Sequence, residues 1–179
     1  MNIRETGFTL LELLIAVLVL GILATLAGPS MSSFVNEGRL KSAAENVYSY
    51  LVYARSESIA RNANVLVSFE GSSSENWCVG ITTSSTYCDC STGSPACELS
   101  TVGGAASESA KSLSGGGFSG ITLTAPTNQW EIDGRRGVLS VTPSNITLNH
   151  PSVGDVIVSL NKLGRVKVCS NDLTTYPDC

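Results

Sequence analysis

Few residues in this chain have the type and spacing to do chemistry. There is one histidine, His150, so a Ser/His/Asp triad or a His-cluster metal site has almost nothing to stand on. Ser and Asp are plentiful, yet no nucleophile elbow and no P-loop surrounds them. The chain reads as a non-enzyme with no cofactor. Six cysteines remain: Cys78, Cys88, Cys90 and Cys97 cluster, while Cys169 and Cys179 lie near the end. A structural zinc site wants paired CxxC-like spacings with His or further Cys. Cys88-x-Cys90 is too tight for that, so no metal is expected and disulfides in an oxidising compartment are. Cys169 with Cys179 would tie down the tail, a closure of roughly 2–3 kcal/mol in the chain-entropy picture. Neighbours one residue apart rarely bridge, so Cys78 should pair with Cys88 or Cys90 and Cys97 with the one left over. Both arrangements stay open.

The remaining reactive group is a carboxylate in the wrong solvent. Glu12 interrupts an apolar run from Phe8 to Gly28, 21 residues long. A helix of that length spans roughly 30 Å, the thickness of a bilayer's hydrocarbon core. Arg4 precedes the run, which keeps the N-terminal side cytoplasmic and sends the rest across. A secretory signal peptide cut after Ala27, or a plain single-span anchor, would explain the hydropathy. Neither explains Glu12, since a carboxylate within an apolar span costs about 3 kcal/mol on insertion scales and is normally there for a partner.

Gly7-Phe8-Thr9-Leu10-Leu11-Glu12 resembles the processing site of type IV pilins and type II secretion pseudopilins. The resemblance implies cleavage between Gly7 and Phe8 by a prepilin peptidase, leaving 172 residues, and N-methylation of Phe8. It also implies that Glu12 pairs with the N-terminal amine of a neighbouring subunit during assembly. Gly21 and Pro29 stand where filamentous pilins soften their stalk helix. A kinked membrane helix would use the same two residues.

Beyond Pro29, Leu40, Ala44, Val47, Leu51 and Ala54 fall at spacings of four and three, one stripe of an amphipathic helix. Glu37–Lys41, Lys41–Glu45 and Glu57–Arg61 are opposite charges four apart on its wet faces, and Asn62 and Asn64 make a stop. The stripe needs a sheet to bury it, because no second helix of similar quality follows. The segment Tyr53–Asn62, with strands expected at Val65–Phe69 and Trp77–Thr83, is similar to the FimT/FimU group of minor pilins and the related GspH pseudopilins. The expected organisation is therefore a leader (1–7), a transmembrane and assembly half of the stalk helix (8–28), an amphipathic half (29–62) and a periplasmic β-rich domain (63–179). The fold class is α+β, a type IV pilin fold with a long N-terminal helix on antiparallel sheet. Residues 84–119 are Ser/Gly/Cys-rich and read as loop. Further strands are expected at Ile121–Thr124, Val138–Val141, Ile146–Leu148, Val156–Leu160 and Arg165–Cys169, with a hairpin turn at 161–164.

Charged residues make up only 15% of the chain and the net charge is −4, which argues against a generally basic nucleic-acid binder. The charge has a geography, however. Residues 70–133 carry seven acids and one base, whereas residues 134–169 carry five bases (Arg135, Arg136, Lys162, Arg165, Lys167) and one acid, Asp155. Gly164-Arg165-Val166-Lys167 resembles the GRxR element of DNA-binding FimT-type pilins, with Lys for the last Arg. Lys keeps the charge and loses the bidentate fork. Strand alternation puts Arg165 and Lys167 on one face, and cations guarding an edge strand would look the same. Arg135-Arg136 reads as a turn, and His150, before Pro151, as a loop residue. The resemblance implies a minor pilin at or near a pilus tip, with other minor and major pilins, the prepilin peptidase and the inner membrane as partners. A DNA-binding pilin for transformation and a GspH-like pseudopilin of type II secretion are the alternatives.

Overall fold

The computed structural model describes residues 8–100, 108–109, 112–125, 129–140 and 144–179. The chain divides into two compact units, Met1–Val35 and Asn36–Cys179. One helix, α1 (Leu10–Arg61, 52 residues), contributes to both and runs unbroken through Gly21 and Pro29. In the first unit every described large apolar side chain, from Phe8 to Val35, is exposed. Among the described residues no helix is long and apolar enough to cross a membrane. The expected span of residues 8–28 runs into positions 26–30, whose side chains lie outside the description.

In the second unit the helix is amphipathic as its periodicity requires. Leu40, Ala44, Val47, Leu51 and Ala54 are fully buried, joined by Ala43 and Ser58. Lys41 Nζ lies 2.6 Å from Glu37 Oε1, and Arg61 Nε 2.6 Å from Glu57 Oε2. The expected Lys41–Glu45 pair does not form: Glu45 Oε1 instead accepts from the Tyr176 hydroxyl at 3.0 Å. The helix ends on Asn62, in the left-handed region at φ +50°. Asn62 N–H donates to Ile59 O at 3.2 Å and Ala63 N–H to Ser58 O at 3.2 Å. This is the double-bonded C-terminal cap that Asn tolerates better than a branched residue would.

The described strands are β1 (Val65–Glu70), β2 (Cys78–Thr82), β3 (Glu98–Leu99), β4 (Glu108–Ser109), β5 (Leu113–Ser114), β6 (Thr122–Thr124), β7 (Gln129–Ile132), β8 (Ser144–His150), β9 (Gly154–Leu160) and β10 (Val166–Cys169). Two four-stranded sheets run in the orders β5-β2-β1-β7 and β10-β9-β8-β6, and β3 pairs with β4 separately. Every strand pairing among them is antiparallel. In β9 the inward residues Val156, Val158 and Leu160 alternate with half-exposed neighbours, one face in the core and one toward water. In the first sheet Val65, Val67 and Phe69 join the helix stripe in a single core. Phe69 meets Trp130 edge-on with ring centres 4.9 Å apart. The fold is α+β, with the N-terminal helix packed on antiparallel sheet.

The structure corrects four local expectations. Residues 84–119 do not form one loop, since β3, β4 and β5 lie within them. Val138–Val141 is not a strand: Leu139 makes an isolated bridge to Ile132, and residue 141 lies outside the description. Strand β7 was not anticipated, although Trp130 and Ile132 alternate inward. His150 is no loop residue, being the last residue of β8, paired with Gly154 and buried. Its Nδ1 accepts from Ser152 N–H at 3.2 Å.

Candidate functional site

Each cysteine finds a partner: Cys78 bonds Cys90, Cys88 bonds Cys97, and Cys169 bonds Cys179. The first two are one of the two arrangements left open by spacing. Together they fold residues 84–97 over the outer face of the first sheet. That face carries Leu66 and Ser68, and Ser68 Oγ lies 3.5 Å from Cys88 Sγ. Gly80 makes room for the bridges, since a Cβ there would stand 2.5 Å from Cys97 Sγ and 2.9 Å from Cys88 Sγ. This covering explains why β2 is buried along its whole length. Among the described residues no cluster of His, Cys, Asp and Glu could hold a metal ion.

At the N-terminus Gly7 lies outside the described residues. Phe8 is 77% exposed, and Thr9 caps the helix. The backbone N–H of Glu12 donates to Thr9 Oγ1 at 3.3 Å and to Thr9 O at 3.1 Å. Thr9-x-x-Glu12 is thus the sequence pattern of a capping box, with an acid in the first turn where the helix dipole favours it. Glu12 therefore has a local role besides any partner.

The cations gather at one corner of the second unit, built by two turns and the helix. Asn161 organises the β9–β10 hairpin: its Oδ1 accepts from Leu163 N–H at 3.0 Å and Arg165 N–H at 2.8 Å. Gly164, at φ +75°, comes so close to the Gly137 carbonyl that no side chain fits. The turn carrying Gly137 is held by Asp133 Oδ1, which accepts from the N–H groups of Arg135 and Arg136, each at 2.9 Å. Leu139 N–H donates to Lys162 O at 3.3 Å, fastening turn to hairpin. From the helix, Arg55 Nε donates to Gly137 O at 3.0 Å. The fold thus brings the Arg135-Arg136 turn against the hairpin that bears Lys162 and Arg165.

A hollow of about 360 Å³ at this corner is lined by Arg55, Asn161, Leu163 and Arg165. Among the described residues no acid lines it. An Arg held at Nε presents its terminal amines as a fork suited to carboxylate or phosphate. Lys167 does not share this hollow. It lines another of about 380 Å³ with Cys169, Cys179 and Asp178. The cation that joins Arg165 is Arg55, 110 residues earlier in the chain, and no local pattern could have signalled it.

The family profile described as Type II transport protein GspH matches residues 43–164, and the Prokaryotic N-terminal methylation motif matches residues 3–28. No curated protein matches the chain. Among solved structures, the type IV minor pilin FimU of Pseudomonas aeruginosa superposes with a TM-score of 0.54 at 17% identity, over 76% of this chain and 92% of that one. A second crystal form of FimU gives 0.49 at 15% identity, over 73% and 92%. At this identity the likeness is one of fold.

Proposed function

The chain belongs to the family of the type II transport protein GspH, whose members are structural pilin and pseudopilin subunits, and from that premise we propose that it is a minor pilin that primes a type IV pilus at or near its tip. In this reading a prepilin peptidase cuts between Gly7 and Phe8, and Phe8 is N-methylated. The helix holds the protein in the inner membrane with its domain in the periplasm, then carries it into an extracellular pilus of minor and major pilins. The observation that supports assembly through the helix is the uncovered apolar surface from Phe8 to Leu23. An exposed apolar surface that extensive marks a contact with lipid or protein. Within it, Glu12 would meet the amine of a neighbour's Phe8, and a charge left alone in an apolar fibre core is costly.

Mass spectrometry of sheared pili tests this reading. Wild type should yield termini at Phe8, and Gly7→Val should leave the uncut precursor in the membrane. Glu12→Ala should be cut and inserted yet enter pili poorly. Mature Phe8 termini in Gly7→Val would sink the processing step, and normal piliation of a deletion strain with failed protein secretion would favour a pseudopilin.

A second reading, a DNA-binding pilin, is favoured by the hollow that Arg55 and Arg165 line together. In this reading Lys162, Arg165 and the turn cations contact phosphates and Lys167 stands apart. The scaffold role is preferred because an excess of a few charges on an acidic protein is small for phosphate binding.

A further inference from the structure

A third hollow, with an acid on its rim, shares no lining residue with the basic corner or with the hollow at Lys167. It measures about 390 Å³ and opens beside the disulfide-bound segment. Its floor is Leu66, on the outer face of β1 opposite Glu131 of β7. The Tyr87 ring forms one wall, and Asn64, Glu131, Ser84 and Ser85 supply a polar rim.

Two features make this more than a surface dimple. The rim is held in place: Asn64 Nδ2 donates to Glu131 Oε1 at 2.6 Å, while Asn64 Oδ1 accepts from Gly134 N–H at 3.1 Å. Hydrogen-bonding capacity is also left over. Among the described residues the Tyr87 hydroxyl, Glu131 Oε2 and the Ser85 hydroxyl have no hydrogen-bond partner. Burial first, and then the Glu131 charge, pushes the Tyr87 phenol above its ordinary range, so the phenol stays protonated and can donate.

We propose that this hollow binds a neutral saccharide. A pyranose has an apolar face of C–H groups and an equatorial ring of hydroxyls. The first matches Leu66 and the Tyr87 ring, whose body is apolar and whose tip is polar. The second matches a rim of small donors and acceptors, which set orientation in sites of this kind. One sugar hydroxyl can accept from Tyr87 and donate to Glu131 Oε2, satisfying both at once. Among the described residues Glu131 is the only ionisable group on the rim besides that phenol, so uronic or sialic acids meet repulsion. Among the described residues a cation finds one carboxylate, already engaged by Asn64, and no second one.

The test is saturation-transfer NMR on the full chain in a zwitterionic detergent, because sugar-headed detergents would occupy the site. Maltose, lactose and N-acetylglucosamine are the neutral probes, and glucuronic acid and glucosamine the charged ones. Affinity for at least one neutral probe should lie in the millimolar range, about what a shallow, pre-formed polar site supports. Tyr87→Ala should weaken it about tenfold or more, and Tyr87→Phe, which keeps the ring, by less. No transfer from any neutral probe at about 50 mM overturns the proposal. Equal transfer in wild type and Tyr87→Ala, or tighter binding of glucosamine than of every neutral sugar, overturns it as well. Pilus assembly is untouched by either substitution, so failure here is separable from failure of the pilin reading.

Discussion

Replacing Gly80 by Ala adds one methyl group at a crowded point of the second unit, between two disulfides. The new Cβ would stand 2.5 Å from Cys97 Sγ, 2.9 Å from Cys88 Sγ and 3.1 Å from Cys90 Cβ. Each contact falls well inside van der Waals separation, and the neighbours are cross-linked sulfurs that cannot swing away. Overpacking of a tight interior costs about 1–3 kcal/mol. If strain prevents either bridge from closing, the loss of a loop of about ten residues adds about 3 kcal/mol. For a chain of this size each kcal/mol lowers Tm by about 2–4 °C, so the fall should be several degrees at least. Thermal unfolding of the full chain in detergent micelles by circular dichroism measures it, and thiol alkylation with mass spectrometry reports which bridge, if any, has opened. Gly117→Ala is the control, since nothing lies within 4 Å of its added methyl. An unchanged Tm for Gly80→Ala with no free thiol would refute the placement of the disulfide-bound segment over the outer face of the sheet.

Leu51→Ala removes a fully buried side chain of the helix stripe and should cost about 2–5 kcal/mol, read from the same melting curves. Tyr176 is pushed up to about 12, by burial first and then by its bond to Glu45. The folded state therefore keeps a proton that the unfolded chain gives up near 10. The stabilisation is whole below pH 10 and fades as pH rises toward 12; Tyr176→Phe should flatten that stretch of the stability profile. If the basic corner binds duplex DNA, Arg55→Gln with Arg165→Gln removes up to two phosphate contacts. The slope of log K against log salt should then fall by about 1.8, whereas Lys167→Gln should leave this corner's share unchanged. No binding by the wild-type chain even at low salt would end the DNA reading.

What the sequence revealed and what it hid follow from the range of the interactions involved. The helix stripe from Leu40 to Ala54 was legible because burial repeats with the helical period. The hairpin at 161–164 was legible because Asn and Gly carry turn chemistry locally. His150 was misread even though a signal stood beside it: the residue before a proline is biased toward extended backbone, and it closes β8. Strand β7 had its alternation in Trp130 and Ile132, four residues too short to stand out. The hollows had no local signal at all. Arg55 and Arg165 share a hollow across 110 residues of chain, and Asn64 meets Glu131 across 67. Cysteine spacing could narrow the bridges but not choose between Cys88 and Cys90 as the partner of Cys78.

The cap at Asn62 has a mechanical consequence. Only Asn62, Ala63 and Asn64 separate the last turn of α1 from β1, and no slack loop intervenes. Tension that overcomes the core packing of Leu40 to Ala54 therefore enters β1 directly. That strand is flanked on both sides, by β2 and by β7, so a pull along its axis loads two ladders of backbone hydrogen bonds in shear rather than peeling them one by one. The bonds must yield together, and the rate of forced opening is set by the unfolding barrier rather than by equilibrium stability. The junction is a rigid coupling, and the sheet it feeds is a shear clamp.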